Sequence, residues 1–540
     1  MNSDITSSNI GKTEKKASNS PWLYLGLLFT VIGFYLWPNI FGQIPFGYLY
    51  LNTDVPLQVT GIQYEICPEC FVQDVHFNGE LRLFSEREFI YPTLAKLSQL
   101  IHLDVIVSSG LIGLILNIII VFAVFLTLWD RTKNKFWSFI FSTLFIFGFQ
   151  IFAGIWLGGF IGGYNTHSIA IALGFVIFGA FLKAVNNKNE KWIYSVFIVT
   201  ALLVNIYAVV FTHLLVIMTL CVAWQKTLKL KNLLVLCVVC ILLMPLPFFE
   251  VLRIHGTGLL TDPDTKVLTP YISLESPQYF IASARRFLVP IVLLFAFWFF
   301  QAKLKSNQVF KKIGNYEQFE NTLMKIIIIS AILTFVAILL ENYSYFFFMF
   351  QGASGFSQFL FLALFYLVVI KFLDTEISIG KKGKIILGFA LYIFILVGAS
   401  NIIYTIRHQA DWLKNSERFQ NRVELYRYIK NQTPIDSKIL SPVSGISMEI
   451  RGFALRSIVI ADKDKGGLTQ GYEARQRGFA LTERIKEAYK NKDMAELQII
   501  AEETHATHIL YPSEQIDHSK LSDTQIIFQN KNYALAEVKP

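Results

Sequence analysis

Residues 104–136 read DVIVSSGLIGLILNIIIVFAVFLTLWDRTKNKF, an acid at one end, bases at the other, and no charge between Val105 and Trp129. About 20 apolar residues in a row are what a helix needs to cross a hydrocarbon core of roughly 30 Å. The stretch therefore reads as a membrane span, with Asp104 on one side and Arg131, Lys133 and Lys135 on the other. Working outward, comparable runs lie near 22–40, 137–155, 168–185, 192–207, 209–224, 232–249, 287–302, 324–340, 356–373 and 385–403, so that about eleven spans are expected. The pair within 192–224 reads as two short helices rather than one long tilted one, because two keep the charge pattern consistent.

Composition agrees. The chain has 540 residues, of which 54% are apolar and only 16% charged, against about a quarter charged in a soluble domain. Its mean hydropathy is +0.47. If the N-terminus is cytoplasmic and the spans alternate, the inner segments are the N-terminal tail, 130–136, 183–191, 225–231, 303–325 and 371–384, and each carries net positive charge. That is the signature of basic residues retained in the cytoplasm during insertion. The formal charge of +9 is thus a topology signal and gives no support to nucleic-acid binding. Residues 1–21 form a polar tail with Lys12, Lys15 and Lys16, and the first run ends in Trp37-Pro38 without a small-residue cleavage site, so it reads as a signal anchor.

Two segments stand outside the membrane pattern. Residues 41–104 form a long acidic outer loop, carrying Asp54, Glu65, Glu69, Asp74, Glu80, Glu86, Glu88 and Asp104 against Arg82, Arg87 and Lys96. Residues 405–540 have the composition of a water-soluble domain, with helical spacing from Trp412 to Lys430, a stop at Thr433-Pro434, and more helical material between about 470 and 503. Short β-rich runs lie at Lys438–Leu440, Ser457–Ala461, Thr507–Tyr511, Gln525–Phe528 and Tyr533–Glu537. The fold class expected is an α-helical polytopic membrane protein over 22–404 with a C-terminal soluble α/β domain on the non-cytoplasmic side. Cys67-Pro68-Glu69-Cys70 in the outer loop is a short disulfide or a pair of thiols; zinc would require two further ligands, and only His76 and His102 are near in sequence.

A long acidic first outer loop, ten or more spans and an outer α/β tail resemble the GT-C superfamily of membrane glycosyltransferases. The passage Asp74 to Leu100, DVHFNGELRLFSEREFIYPTLAKLSQL, is similar to the segment before the second span of bacterial members related to protein mannosyltransferases. The passage 424–440, ELYRYIKNQTPIDSKIL, resembles their post-membrane segment. The resemblance implies transfer of a sugar from a polyprenyl-phosphate donor to a glycan, lipid or protein acceptor at the membrane surface. Such chemistry needs a carboxylate to deprotonate the acceptor, or to hold a divalent cation such as Mg or Mn, and cations to steady the departing phosphate.

Asp74, with His76 beside it, is the leading catalytic candidate, and Asp54 is the second; either reads alternatively as a solvated loop charge. Glu86 and Glu88 come nearest to the paired acids that many members carry, and metal ligands are not identified. Arg285 and Arg286, just before a span on the outer side, are the phosphate-binding candidates, with Arg253 and His255 behind them. An arginine pair placed there is equally suited to anchoring lipid headgroups. Competing readings are a transporter or flippase for a lipid-linked glycan, a surface-polysaccharide polymerase or ligase, and a non-catalytic relative of the same fold. Membrane lipids are partners in each; sugar, acceptor and oligomeric state are not specified by the sequence.

Overall fold

The structure, a computed structural model, describes Gly26 and residues 54–74, 86–133, most of 135–145, 166–245, 316–341, 352–376, 417–461, 472–516 and 524–538. Among these, the helices before the C-terminal sheet are α1 (Asp54–Ile66), α2 (Glu86–Leu100), α3 (Val105–Thr132), α4 (Thr166–Asn186), α5 (Glu190–Val204), α6 (Ala208–Gln225), α7 (Leu230–Leu242), α8 (Tyr316–Glu341) and α9 (Gly352–Glu376). Helices α3 to α9 share one apolar core. Phenylalanine does much of the packing: Phe178 lies 5.8 Å from Phe359 and stacks on Tyr366 at 6.3 Å, while Phe145 meets Phe365 edge-on at 5.1 Å.

Three described helices contain segments long and apolar enough to cross a membrane, Ile169–Asn186, Ala208–Gln225 and Gln318–Ala337, and Leu230–Leu242 and Gly355–Ile370 are shorter apolar helices. The expected count of about eleven spans is not reached by these. The runs near 287–302 and 385–403, and most of those near 22–40 and 137–155, lie outside the described residues. The segment 192–224 does divide in two. Helix α5 is capped at its start by Asn189, which accepts the Trp192 amide. It stops at Asn205, whose Nδ2 donates to the Leu243 carbonyl at 2.6 Å and so ties the end of α5 to the end of α7. His213 is buried in the bundle, edge-on to Phe356 at 4.4 Å.

Helix ends that the charge pattern assigns to one side meet on one side. Asp130 lies 3.2 Å from Lys133 and 4.0 Å from Lys183, Arg131 covers the Phe319 ring at 4.7 Å, and Gln225 donates to Thr322 at 2.9 Å. At the other end Val105 joins a second apolar cluster, against which Ile112, Ile169 and Ile206 pack.

That second cluster changes the picture of the first outer loop. Residues 41–104 are not simply loop, since they contain α1 and α2, joined in part by a short turn at Pro68–Phe71. Val59 and Ile62 of α1 and Tyr91 and Leu94 of α2 are buried against each other and against the C-terminal domain. The two helices approach closely because Gly61 has no side chain: a Cβ there would stand 2.4 Å from Tyr91 Cε2. Helix α2 reaches α3 through a brief link in which His102 adopts a positive φ of 52° and Ser98 hydrogen-bonds Ser108 at 2.5 Å.

The C-terminal domain runs α10 (Glu417–Gln432), β1 (Lys438–Leu440), α11 (Gly445–Glu449), β2 (Ser457–Ile458), α12 (Tyr472–Asn491), α13 (Met494–Glu503), β3 (His508–Pro512), β4 (Thr524–Gln529) and β5 (Tyr533–Val538). The sheet order is β2-β1-β3-β5-β4, with β1 parallel to β2 and β3 and the β3-β5-β4 part antiparallel. Successive strand residues face opposite sides. Ile439, Leu510 and Leu535 pack toward α10, α11, α1 and α2, whereas Leu440, Ile509 and Ala536 pack toward α12 and α13. The outer-loop helices thus contribute to one layer of this domain.

On β3, His508 is buried; its Nδ1 bonds Thr507 Oγ1 at 2.8 Å and its Nε2 has no partner among the described residues. Burial holds the imidazole below its ordinary pKa, Glu537 opposes that shift and Arg456 adds to it. A folded-state pKa depressed in this way contributes stability that is complete above the unfolded value of about 6.5 and is lost as the pH falls below it. The contribution has a slope of at most about 1.4 kcal/mol per pH unit. Thermal unfolding at pH 7.5 and pH 5 should show a smaller acid-induced loss for His508→Asn than for the wild-type chain.

Candidate active site

The sequence FALRSIVIA after β1, and EIR just before it, put three charged residues, Glu449, Arg451 and Arg456, into an otherwise apolar stretch. All three are buried. Arg456 is used at the end of α10: its guanidinium donates to the carbonyls of Lys430 at 2.8 Å and Thr433 at 2.7 Å, where the helix has run out of its own donors. Glu449 receives Arg422 at 3.1 and 3.2 Å and the Tyr426 hydroxyl, while Arg422 also donates to Tyr533 at 2.9 Å. Burial works against the Arg422 charge, but Glu449, then Tyr426 and Tyr533, outweigh it and hold this guanidinium above its ordinary range.

Arg451 reaches the other way. It lies in a wide π-type turn, Ile450–Ala454, which ends at Leu455 with a positive φ of 53°. Its Nε donates to Asp74 Oδ2 at 2.8 Å, and both side chains have 0% exposure. The same carboxylate oxygen accepts the Ile458 amide at 3.2 Å. Since β2 is an edge strand, Asp74 satisfies a backbone donor that would otherwise lie unpaired beneath the loop. Asp74 is set by the turn before it: its amide bonds the Phe71 carbonyl at 3.0 Å, Cys67 and Cys70 form a disulfide, and Cys70 and Phe71 pack with Leu455. Burial depresses the Lys438 ammonium, and the Asp74 charge partly offsets this.

Asp74 is thus a buried join between the segment that follows α1 and the C-terminal domain. Asp54 is elsewhere. It is the first residue of α1, whose 13 residues rise about 20 Å, so the two acids stand toward opposite ends of that helix and are not brought together. Glu86 and Glu88 fall in the first turn of α2. His76, Arg253, His255, Arg285 and Arg286 lie outside the described residues. Among the described residues no group of three or more His, Cys, Asp or Glu is placed to hold a metal ion. The sequence reading missed Arg451 and Glu449, and the signal for both was charge inside an apolar run.

Breaking a buried pair leaves an uncompensated charge and costs about 3–5 kcal/mol. Asp74→Asn should therefore lower the thermal midpoint of the chain far more than the same change at exposed Asp493, as read by unfolding in detergent.

Comparison with known proteins bears on the fold. No protein-family model matches the sequence, and no curated protein matches it by sequence. Solved structures do match. The oligosaccharyltransferase of Archaeoglobus fulgidus in its apo form aligns with a TM-score of 0.50 at 13% identity, over 92% of this chain and 70% of that one. A second structure of that archaeal enzyme, in complex with an inhibitory peptide and a dolichol-phosphate, aligns with a TM-score of 0.47 at 10% identity, over 91% and 69%. The chain shares the fold of the apo oligosaccharyltransferase, with mostly helical structure followed by a C-terminal sheet.

Proposed function

We propose that this chain is a membrane glycosyltransferase that moves a sugar from a polyprenyl-phosphate donor to an acceptor hydroxyl or amide on the non-cytoplasmic face. The observation that carries the reading is the fold, shared over 92% of the chain with an oligosaccharyltransferase. A second observation supports the side of action. The first outer segment holds a disulfide, a bond that persists in oxidising compartments, and packs directly on the C-terminal domain.

The acceptor atom attacks the anomeric carbon, the bond from that carbon to the phosphate oxygen breaks, and the configuration inverts. Asp54 is the proposed base that takes the acceptor proton. Asp74 is engaged with Arg451, while Asp54 is the first residue of α1. Arg285 and Arg286, with Arg253 and His255, are the proposed partners of the departing lipid phosphate, a task suited to the fork of guanidinium donors. A divalent cation such as Mg or Mn would be held by carboxylates and would supply positive charge toward the departing phosphate.

Asp54→Asn tests the assignment. With a set of polyprenyl-phosphate sugars as donors, its kcat should fall about 10²–10⁴-fold, the usual contribution of a positioned base. Undiminished transfer by Asp54→Asn overturns that role.

A further inference from the structure

Arg451 and Asp74 are 377 positions apart in sequence, yet they form a fully buried ion pair. The carboxylate sits at the far end of the helical segment that Asp54 begins, and the guanidinium sits in the turn between α11 and the edge strand β2. A charge pair sealed from solvent is poorly explained as a source of stability, because an apolar pair of similar size is often as good or better. What such a pair supplies is a fixed geometry, since neither charge tolerates a shifted partner. The surroundings agree with that role. At Gly61, α1 lies so close to Tyr91 that no side chain would fit between them, and Leu455 packs on the disulfide turn.

We propose that Arg451 is a positioning residue for the transfer reaction. By holding Asp74 it docks the C-terminal domain on α1 in one orientation and thereby sets the catalytic carboxylate of Asp54 relative to the acceptor. The inference rests on the glycosyltransferase reading and on Asp54 as base. Arg451 touches no reacting atom. It acts through α1, and misplacement by about 1 Å is enough to cost up to 100-fold in rate.

The test uses the full chain in lipid nanodiscs, with spectroscopic probes introduced at exposed Ile66 of α1 and exposed Arg427 of α10. In Arg451→Met the distance distribution between the probes should broaden. Its kcat per folded molecule should drop roughly 10- to 100-fold, with the KM for the donor unchanged. The double variant Asp74→Asn/Arg451→Gln replaces the ion pair by a neutral hydrogen-bonded pair and should restore both the narrow distance and much of kcat. Should Arg451→Met fail to fold, Arg451→Lys, which keeps the charge and loses the planar fork, takes its place with the same expected split. The proposal is overturned by a loss of kcat at an unchanged distance, by a broadened distance at full kcat, or by a double variant no better than the single ones. Transfer by the wild-type chain together with any of these outcomes leaves the glycosyltransferase reading standing. No transfer by the wild-type chain from any polyprenyl-phosphate sugar overturns that reading and this inference with it.

Discussion

The ion pair between Asp74 and Arg451 joins parts of the chain that no local interaction could bring together. Two charges without exposure must find each other or remain uncompensated, and the energetic asymmetry between those outcomes is about twice that of an ordinary buried hydrogen bond. Around this constraint the remaining contacts fall into place. The Ile458 amide at the sheet edge uses the same carboxylate, the disulfide turn packs on Leu455, and α1 and α2 lie over one face of the sheet. The apolar cluster that results also contains Val105 at the start of α3, so one end of the bundle, α1, α2 and one layer of the C-terminal domain meet in it.

Much of the architecture was legible in the sequence. The α3 run between Asp104 and Arg131, the two-helix reading of 192–224 and the β-rich runs from Lys438 onward each correspond to an element, because apolar periodicity and turn residues are local signals. The helices of the first outer segment were not legible. Their apolar residues, such as Val59, Ile62 and Leu94, are few and are buried by distant parts of the chain, so the window around each of them looks like loop. The same holds for the candidate site. Asp74 was found as a residue of consequence from its context, but its partner lies 377 positions away and nothing near Asp74 announces it. What the residues around Asp74 in sequence do not show is that its carboxylate is buried against Arg451.

The C-terminal domain shows how few polar groups are needed to fix a small sheet. Arg456 closes the end of α10, and Glu449 gathers Arg422 and Tyr426 beneath β5. Each of these groups lies in an apolar neighbourhood, where an unpaired polar atom is costly and correct pairing selects one arrangement over its alternatives. The sheet itself contributes alternation, with one set of residues toward α12 and α13 and the other toward the outer segment.

The 377-residue separation of Asp74 and Arg451 also bears on how the protein is made. At about 5–20 residues per second, roughly 20 to 75 s pass between the synthesis of the two residues. Throughout that interval the spans are being inserted while the carboxylate of Asp74 has no guanidinium to meet. Until the last quarter of the chain has been made, the segment that carries Asp74 lacks the partner that fixes it. Closure of this contact is then a late step of maturation, and a chain truncated before Arg451 lacks the partner of Asp74.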